Sequence, residues 1–114
     1  MLVVDDHDQL RASICRMLRN RLEVIGEASN GLEAVEMTRE MHPDLVLMDV
    51  RMPVMDGVEA TRLIHEEMPE IRIVGHSAFH ERELVDEMIN AGAERYLIKG
   101  ELALVDFVSS LNRD

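Results

Sequence analysis

The sequence has few aromatic residues and almost no sulfur that could form cross-links. Trp is absent, aromatic residues make up 3% of the chain, and the single cysteine is Cys15. Stacking platforms for bases and disulfide-stapled secreted folds are both disfavoured by these counts. We therefore expect a protein of a reducing, cytoplasmic compartment, with a core filled by aliphatic side chains and by Met, which occurs nine times.

Positive charge is scarce as well. The chain has 12 basic and 23 acidic residues and a net charge of -11, so it repels phosphate backbones and anionic lipids. It also contains no apolar run of about 18 residues, the length that spans a bilayer. We expect no direct binding to nucleic acid and none to membranes. Lys99 is the only lysine, whereas arginine recurs along the chain.

Short apolar segments alternate with amphipathic ones along the 114 residues, a length typical of one domain. The apolar segments are continuous rather than alternating, which predicts strands buried on both faces of a parallel sheet. The predicted strands are residues 1–4, 22–25, 45–48, 71–74 and 96–98. Apolar residues spaced three and four apart predict the helices, with the buried positions Leu10, Ile14, Met17, Leu18, Leu32, Val35, Met41, Ala60, Leu63, Ile64, Leu84, Val85, Met88, Ile89, Leu104, Val105, Val108 and Leu111.

Turn signals separate these segments. Asn30 and Asp56, each followed by glycine, predict the starts of the second and third helices, and Gly92 predicts the end of the fourth. Five strands and five helices in alternation predict a doubly wound, flavodoxin-like α/β domain with sheet order 2-1-3-4-5 and helices on both faces. We expect residues 1–114 to form this one domain, with no second domain in the chain.

Carboxylates follow the two strands that flank the switch point of this topology. Asp5 and Asp6 follow the first predicted strand, and Asp49 follows the third. Ligands of open α/β sheets bind beyond the carboxyl ends of the strands at that point. Three converging carboxylates repel one another unless a cation is present, and hard oxygen ligands suit Mg²⁺. The simpler alternative is that these residues only cap a helix and end a strand.

Two further polar residues follow strands 4 and 5. Ser77 supplies a hydroxyl and Lys99 an ammonium group, so the strand ends together offer acids, a hydroxyl and a cation. An Asp carboxylate can attack phosphorus, while Mg²⁺ and a lysine neutralise the phosphoryl oxygens. A compact lysine charge is not interchangeable with the arginine fork that the chain uses elsewhere. The set predicts a site for phosphoryl transfer.

The motifs VVDD at residues 3–6, LMDVRMPVMDG at 47–57, SA at 77–78 and YLIK at 96–99 stand in order along the chain. In this combination the chain resembles the receiver domain of response regulators in two-component signalling. The resemblance covers essentially the whole chain. Asp5-Asp6-His7 and the Lys99-Gly100 ending resemble the subclass whose receivers precede a LuxR-type helix-turn-helix domain.

The resemblance implies roles for the acidic residues. Asp49 would be the phospho-acceptor, taking its phosphoryl group from the phosphohistidine of a sensor histidine kinase or of a phosphotransfer protein. Asp6, Asp49 and the backbone carbonyl of Arg51 would bind Mg²⁺ directly, and Asp5 would hold a metal-bound water.

The resemblance also implies a switch. Lys99 and Ser77 would bind the phosphate, Ala78 belongs to the same phosphate-binding loop, and Tyr96 would turn inward when Ser77 moves. The output surface would be the face formed by helix 4, strand 5 and helix 5. The implied partners are a histidine kinase, a second copy of the chain on phosphorylation, and a C-terminal DNA-binding domain outside this chain that controls transcription.

Two side chains are expected at the mouth of the pocket. Arg51 comes two residues after Asp49, and Phe79 comes two residues after Ser77. We expect Arg51 to alter the attack of water on the phosphorylated Asp49, and Phe79 to shield the pocket.

Two other functions are alternatives for this set of residues. A haloacid-dehalogenase-like phosphatase also uses an Asp nucleophile and Mg²⁺, but needs a second Asp two residues later, where this chain has Arg51. The second alternative is a receiver-like interaction module that acts without phosphorylation. We expect no classical enzyme activity beyond self-catalysed phosphotransfer and autodephosphorylation.

Overall fold

A computed structural model describes residues 1–111 of the chain. Strands and helices alternate throughout, and all strand pairs are parallel, in the order β2-β1-β3-β4-β5. The elements are β1 (Leu2–Val4), α1 (Asp8–Leu18), β2 (Gly26–Ala28), α2 (Gly31–Met41), β3 (Leu45–Met48), α3 (Gly57–Glu67), β4 (Arg72–Ser77), α4 (Arg82–Ala91), β5 (Arg95–Ile98) and α5 (Glu101–Leu111). The predicted fold class and strand order are confirmed.

The core lies in two layers, one on each face of the sheet. Successive residues of β1 point to opposite faces, so Leu2 and Val4 pack on one layer and Val3 on the other. The first layer includes buried residues of α2, α3 and α4, such as Ala34, Ile64 and Met88. The second includes buried residues of α1 and α5, such as Ile14, Leu18, Leu104 and Val108. Burial on both faces explains the continuous apolar strands.

The second strand lies later in the chain than the sequence predicts. The structure places β2 at Gly26–Ala28, paired with Leu2–Val4, rather than at residues 22–25. Leu22 and Val24 are half-buried against the α1 and α5 layer without joining the sheet. Apolar character indicates burial rather than strand pairing, and residues 22–25 are an apolar connector and not a strand.

Several helix positions predicted to be buried are exposed. Leu10, Leu32, Met41 and Ile89 are 38 to 43% exposed. In α2 the predicted Val35 is buried, and the rest of the buried face is formed by the smaller residues Gly31, Ala34 and Thr38. The close approach of α2 to the sheet and to α3 leaves room for small side chains there, so the larger apolar ones lie at the edge of the contact.

The predicted helix ends are confirmed by their capping contacts. The side chains of Asn30 and Asp56 accept hydrogen bonds of 2.9 Å from the backbone N–H groups of Glu33 and Glu59. Gly92 ends α4 with a φ of 128°, a conformation that favours glycine. Within residues 1–111, no helix is long and apolar enough to cross a membrane.

Candidate functional site

The end of the sheet between β1 and β3 carries two buried carboxylates. Asp5 is 1% exposed and Asp49 is 4% exposed. Their backbones continue the sheet, because the Asp5 N–H donates to the Ala28 carbonyl and the Asp49 N–H donates to the Val4 carbonyl, each at 3.0 Å. The topology therefore brings side chains from distant parts of the sequence into one pocket at the switch point.

Lys99 reaches into this pocket from the end of β5. Its backbone N–H donates to the Ser77 carbonyl at 2.8 Å. Its Nζ lies 2.9 Å from Asp5 Oδ2 and 3.4 Å from Asp49 Oδ1. One ammonium group thus sits between two buried carboxylates, which lowers the cost of burying them but leaves the pocket negative.

Asp6 is the third acid of the pocket, and one of its oxygens has no hydrogen-bond partner. Among the described residues, Asp6 Oδ1 is a buried acceptor without a donor, although His7 Nδ1 lies 3.3 Å away. Ligand atoms of Asp5, Asp6 and His7 all lie within 4.8 Å of one another. A buried acceptor left unpaired is costly, and a divalent cation among carboxylate oxygens would remove that cost. The residues present therefore fit Mg²⁺.

The electrostatics of the pocket favour a proton or a cation. Burial, and then the charge of Asp5, raise the pKa of Asp49 to about 6, although Lys99 acts in the opposite direction. Burial alone would lower the pKa of Lys99, but its contacts with Asp5 and Asp49 outweigh this and raise it. Lys99 is therefore charged at neutral pH, and the pocket has affinity for further positive charge.

A second group of side chains lines the mouth of the pocket. The guanidinium carbon of Arg51 lies 4.7 Å from the centre of the Phe79 ring, a cation–π contact between the loops after β3 and β4. Ser77 Oγ accepts a hydrogen bond of 3.1 Å from the Phe79 N–H. The Tyr96 hydroxyl donates to the Phe79 carbonyl. The loop after β4 is thereby held by Ser77, Tyr96 and Arg51 at once.

The loop after Asp49 turns back tightly on the strand. The Gly57 N–H donates to the Val50 carbonyl at 2.6 Å, and a Cβ at Gly57 would lie 1.9 Å from the Asp49 carbonyl oxygen. Val54, at the tip of the loop, has a φ of 70°, a strained conformation for a β-branched residue. Close backbone packing at Gly57 fixes the position from which Asp49 and Arg51 project.

The structure brings most of the predicted site residues together in these two groups. The acidic pocket contains Asp5, Asp6, Asp49 and Lys99, and the mouth contains Ser77, Arg51, Phe79 and Tyr96. Ala78 lies beside Ser77 but is exposed and has no polar side-chain atom.

Sequence reasoning missed two residues of this region. Arg11 Nη1 donates to the Asp5 carbonyl at 2.6 Å and so supports the backbone of the acidic pocket. His76 is buried in β4 and lines, together with Lys99, a cavity beside α1. Arg11 carries no signal in the sequence, since its role depends on how α1 crosses the sheet. The predicted fourth strand ends at residue 74, whereas β4 runs from Arg72 to Ser77, so the sequence prediction left His76 outside the sheet.

The fold and this site define a class of protein, and the comparison with protein families agrees. The family profile of the response regulator receiver domain matches residues 1–108. The chain therefore belongs to the response regulator receiver domain family, which serves two-component signalling.

The chain is similar to particular response regulators. The chain is 43% identical over 102 residues to the response regulator GacA of Pseudomonas viridiflava, a match that covers 88% of this chain and 48% of GacA. It is 41% identical over 101 residues to the transcriptional regulatory protein LnrK of Bacillus subtilis, covering 87% of this chain and 46% of LnrK. The chain thus spans about half the length of these relatives.

A solved structure of a response regulator has the same fold. The crystal structure of a LuxR-family two-component response regulator from Aurantimonas superposes with a TM-score of 0.89 at 31% identity, covering 96% of this chain and 81% of that one. The predicted membership of the receiver family is confirmed.

Proposed function

We propose that this receiver accepts a phosphoryl group on Asp49 from the phosphohistidine of a sensor histidine kinase or a phosphotransfer protein. The observation that carries the proposal is the placement of Asp49, buried at the switch point with Asp5 beside it and Lys99 Nζ 3.4 Å from its Oδ1. The Asp49 carboxylate thus lies close to the Lys99 ammonium group, in a pocket whose net negative charge attracts a second cation. These are the requirements of phosphoryl transfer to a carboxylate.

The transfer exchanges one bond for another at phosphorus. An Asp49 oxygen attacks, an O–P bond forms, and the P–N bond of the donor breaks with its electron pair going to the ring nitrogen. A donor ring that carries a proton on its other nitrogen leaves as neutral imidazole. Asp6, Asp49 and the Arg51 carbonyl would bind Mg²⁺ directly, and Asp5 would hold one of its waters. When bound, Mg²⁺ neutralises charge on the phosphoryl oxygens. The same residues would support self-catalysed phosphotransfer and autodephosphorylation.

Lys99 and Ser77 would read the phosphorylated state. The Lys99 ammonium group would form an ion pair with one phosphate oxygen in place of its contact with Asp49. The Ser77 hydroxyl would donate a hydrogen bond to a second phosphate oxygen. Only contacts that differ between two states can shift the balance between them. Ser77 Oγ also accepts a hydrogen bond from the Phe79 N–H, and the Phe79 carbonyl accepts one from the Tyr96 hydroxyl. A movement of Ser77 would therefore shift the loop after β4 and the Tyr96 ring.

The output of this switch would be a surface. Tyr96 lies on β5, so the face formed by α4, β5 and α5 is the one that its movement would change. We propose that this face pairs with a second copy of the chain on phosphorylation and controls a DNA-binding domain that follows residues 1–114. The names of LnrK, a transcriptional regulatory protein, and of the LuxR-family neighbour support a role in transcription.

The experiment is incubation with Mg²⁺ and a small phosphodonor such as acetyl phosphate, read by intact mass. We expect one added phosphoryl group, lost in Asp49→Asn and retained in Asp44→Asn, a matched change of an exposed Asp at the opposite end of β3. Omitting Mg²⁺ should also prevent the adduct. Absence of any reaction would favour the phosphorylation-independent interaction module, and turnover of the donor without an adduct would favour a phosphatase.

A further inference from the structure

His7 lies beside the acidic pocket, between the end of β1 and the start of α1. Its backbone N–H donates a hydrogen bond of 2.9 Å to Asp5 Oδ1, which fixes the residue next to the pocket. The residue is the N-cap of α1, but its side chain makes no capping hydrogen bond. The side chain is also 73% exposed. The imidazole of His7 therefore contributes to neither the helix cap nor the core.

The His7 ring lies at the separation that two ligands of one metal ion require. His7 Nδ1 is 3.3 Å from Asp6 Oδ1, and the two atoms form no hydrogen bond. Among residues 1–111, Asp6 Oδ1 is a buried acceptor that no donor satisfies. Two ligands about 2.1 Å from one ion lie about 3.0 Å apart at an octahedral angle and about 3.4 Å apart at a tetrahedral one. The observed separation falls between these values, so one cation can bind both atoms.

Asp5 is less available as a direct ligand, because both of its oxygens are engaged. Its Oδ1 accepts the hydrogen bond from the His7 N–H, and its Oδ2 lies 2.9 Å from Lys99 Nζ. Asp6 Oδ1 has no such partner. Ligand atoms of Asp5, Asp6 and His7 nevertheless lie within 4.8 Å of one another. A cation bound to Asp6 therefore has the His7 nitrogen within reach.

An imidazole nitrogen changes which cations the pocket prefers. Mg²⁺ takes oxygen ligands and keeps several waters, so a nitrogen adds little to its binding. Divalent transition metals bind imidazole well, and their affinity for sites of nitrogen and oxygen ligands rises from Mn²⁺ through Co²⁺ to Ni²⁺. His7 therefore affects the choice of metal more than the strength of Mg²⁺ binding.

We propose that His7 Nδ1 is a metal ligand, and that it forms with Asp6 and Asp49 a mixed nitrogen and oxygen site for a divalent transition metal. Such an ion would compete with Mg²⁺ for the pocket. This inference rests on the proposed function, because it places the ion at the metal site invoked there for phosphoryl transfer. It adds to that site one ligand and a class of cation that carboxylates alone do not select.

The test measures Co²⁺ binding to the 114-residue chain by isothermal titration calorimetry, and Mg²⁺ binding by its competition with Co²⁺. We expect His7→Ala to weaken Co²⁺ binding by about tenfold and Mg²⁺ binding by less than about twofold, because only Co²⁺ loses a ligand. Asp6→Asn should weaken the binding of both ions, since both use its carboxylate. His65→Ala, which removes an exposed histidine of α3, is the matched control and should change neither affinity.

A second measurement reports the metal–nitrogen bond itself. Co²⁺ is paramagnetic, so a ligating imidazole gives a strongly shifted ring N–H signal in the ¹H NMR spectrum in water. The wild-type chain and His65→Ala should show this signal, and His7→Ala should not. The ¹⁵N–¹H spectrum of metal-free His7→Ala establishes that the variant is folded.

Phosphorylation of the wild-type chain by acetyl phosphate and Mg²⁺ separates this proposal from the proposed function. If the wild type gains the phosphoryl group but a folded His7→Ala binds Co²⁺ as tightly as the wild type, the role of His7 is wrong and the proposed function stands. If no phosphoryl group is gained but Co²⁺ binding depends on His7, the metal site stands and the proposed function is wrong. Equal weakening of both ions in His7→Ala, or an unchanged N–H signal, would also overturn the proposal.

Discussion

Gly57 packs so closely against the backbone of the loop after β3 that no side chain fits there. Its N–H donates to the Val50 carbonyl, and a Cβ would meet the Asp49 carbonyl oxygen at 1.9 Å, backbone against backbone. No rotation of a side chain can relieve such a contact. The glycine is therefore required by close approach rather than by an unusual φ angle.

We predict that Gly57→Ala lowers the free energy of unfolding by more than about 2 kcal/mol, because the loop after β3 must move away from Asp49. Urea denaturation measures the change. Gly100→Ala is the matched control, since the nearest atom to its added Cβ is the Ile98 carbonyl oxygen at 3.9 Å. The control should change stability by less than about 1 kcal/mol. Equal losses in the two variants would contradict the steric explanation.

Arg51 and Phe79 form a cation–π contact at the mouth of the pocket. The guanidinium lies over the ring at 4.7 Å, and the two side chains come from the loops on either side of the pocket mouth. We propose that together they cover the approach that water would take to a phosphorylated Asp49.

We predict that Arg51→Asn speeds the loss of phosphate from Asp49 by about two- to fivefold, the equivalent of an exposed cation–π contact. Phe79→Ala should have a similar effect, and the double variant should add little to either. Loss of the adduct over time, followed by intact mass, measures the rate. Arg62→Asn, an exposed change on α3, is the control, and an unchanged rate in both pocket variants would show that the stack does not limit water.

At the scale of elements, Arg11 joins three parts of the fold. From α1 it donates to the Asp5 carbonyl at the end of β1, to Asp8 at 2.9 Å, and to Glu27 of β2 at 3.2 Å. Its side chain is only 15% exposed. The three-residue strand β2 has few backbone bonds of its own, so this contact helps to hold it at the sheet edge.

We predict that Arg11→Met destabilises the domain by about 1–2 kcal/mol, because the Asp5 carbonyl and Glu27 each lose a charged donor. Arg39→Met is the control: Arg39 makes a two-pronged ion pair with Glu67 between α2 and α3, but its side chain is 50% exposed. Exposed ion pairs contribute little, so the control should lose less. Thermal unfolding compares the two, and a larger loss in Arg39→Met would contradict this account.

At the scale of the whole molecule, Asp49 and His76 have opposite effects on the pH dependence of stability. Burial and Asp5 raise the pKa of Asp49 from 3.8 to about 6, so the folded state binds its proton more tightly and stability falls as pH rises through that interval. Burial lowers the pKa of His76 from 6.5 to about 4, so the unfolded state binds its proton more tightly and stability rises with pH. The two contributions oppose each other between about pH 4 and pH 6.

We predict a nearly flat stability profile for the wild-type chain between about pH 4.5 and pH 6 in the absence of divalent metal. In Asp49→Asn only the His76 contribution remains, and stability should rise with pH, by at most about 1.4 kcal/mol per unit. In His76→Leu it should fall with pH. Urea denaturation at several pH values measures the slopes, and slopes of the same sign in both variants would refute the assignment.

The strand order and the acidic pocket could be predicted from the sequence because each depends on local patterns. Continuous apolar strands indicate a parallel sheet. Asp5, Asp49 and Lys99 each directly follow a strand, and Ser77 is the last residue of β4. The position of β2 could not be predicted, because residues 22–25 are apolar for packing reasons while the pairing residues Gly26–Ala28 have almost no apolar surface.

The sequence by itself determined the class of fold, the capping residues and the receiver motifs, since these follow from spacing, turn chemistry and residue type. The tertiary structure decided which groups meet across the sheet, such as Arg11 and the Asp5 carbonyl, or Arg51 and Phe79. It also decided that, among residues 1–111, the buried Nε2 of His76 has no hydrogen-bond partner. These contacts join residues far apart in sequence. They depend on how helices cross strands and on how side chains fill the space between them, which no local pattern records.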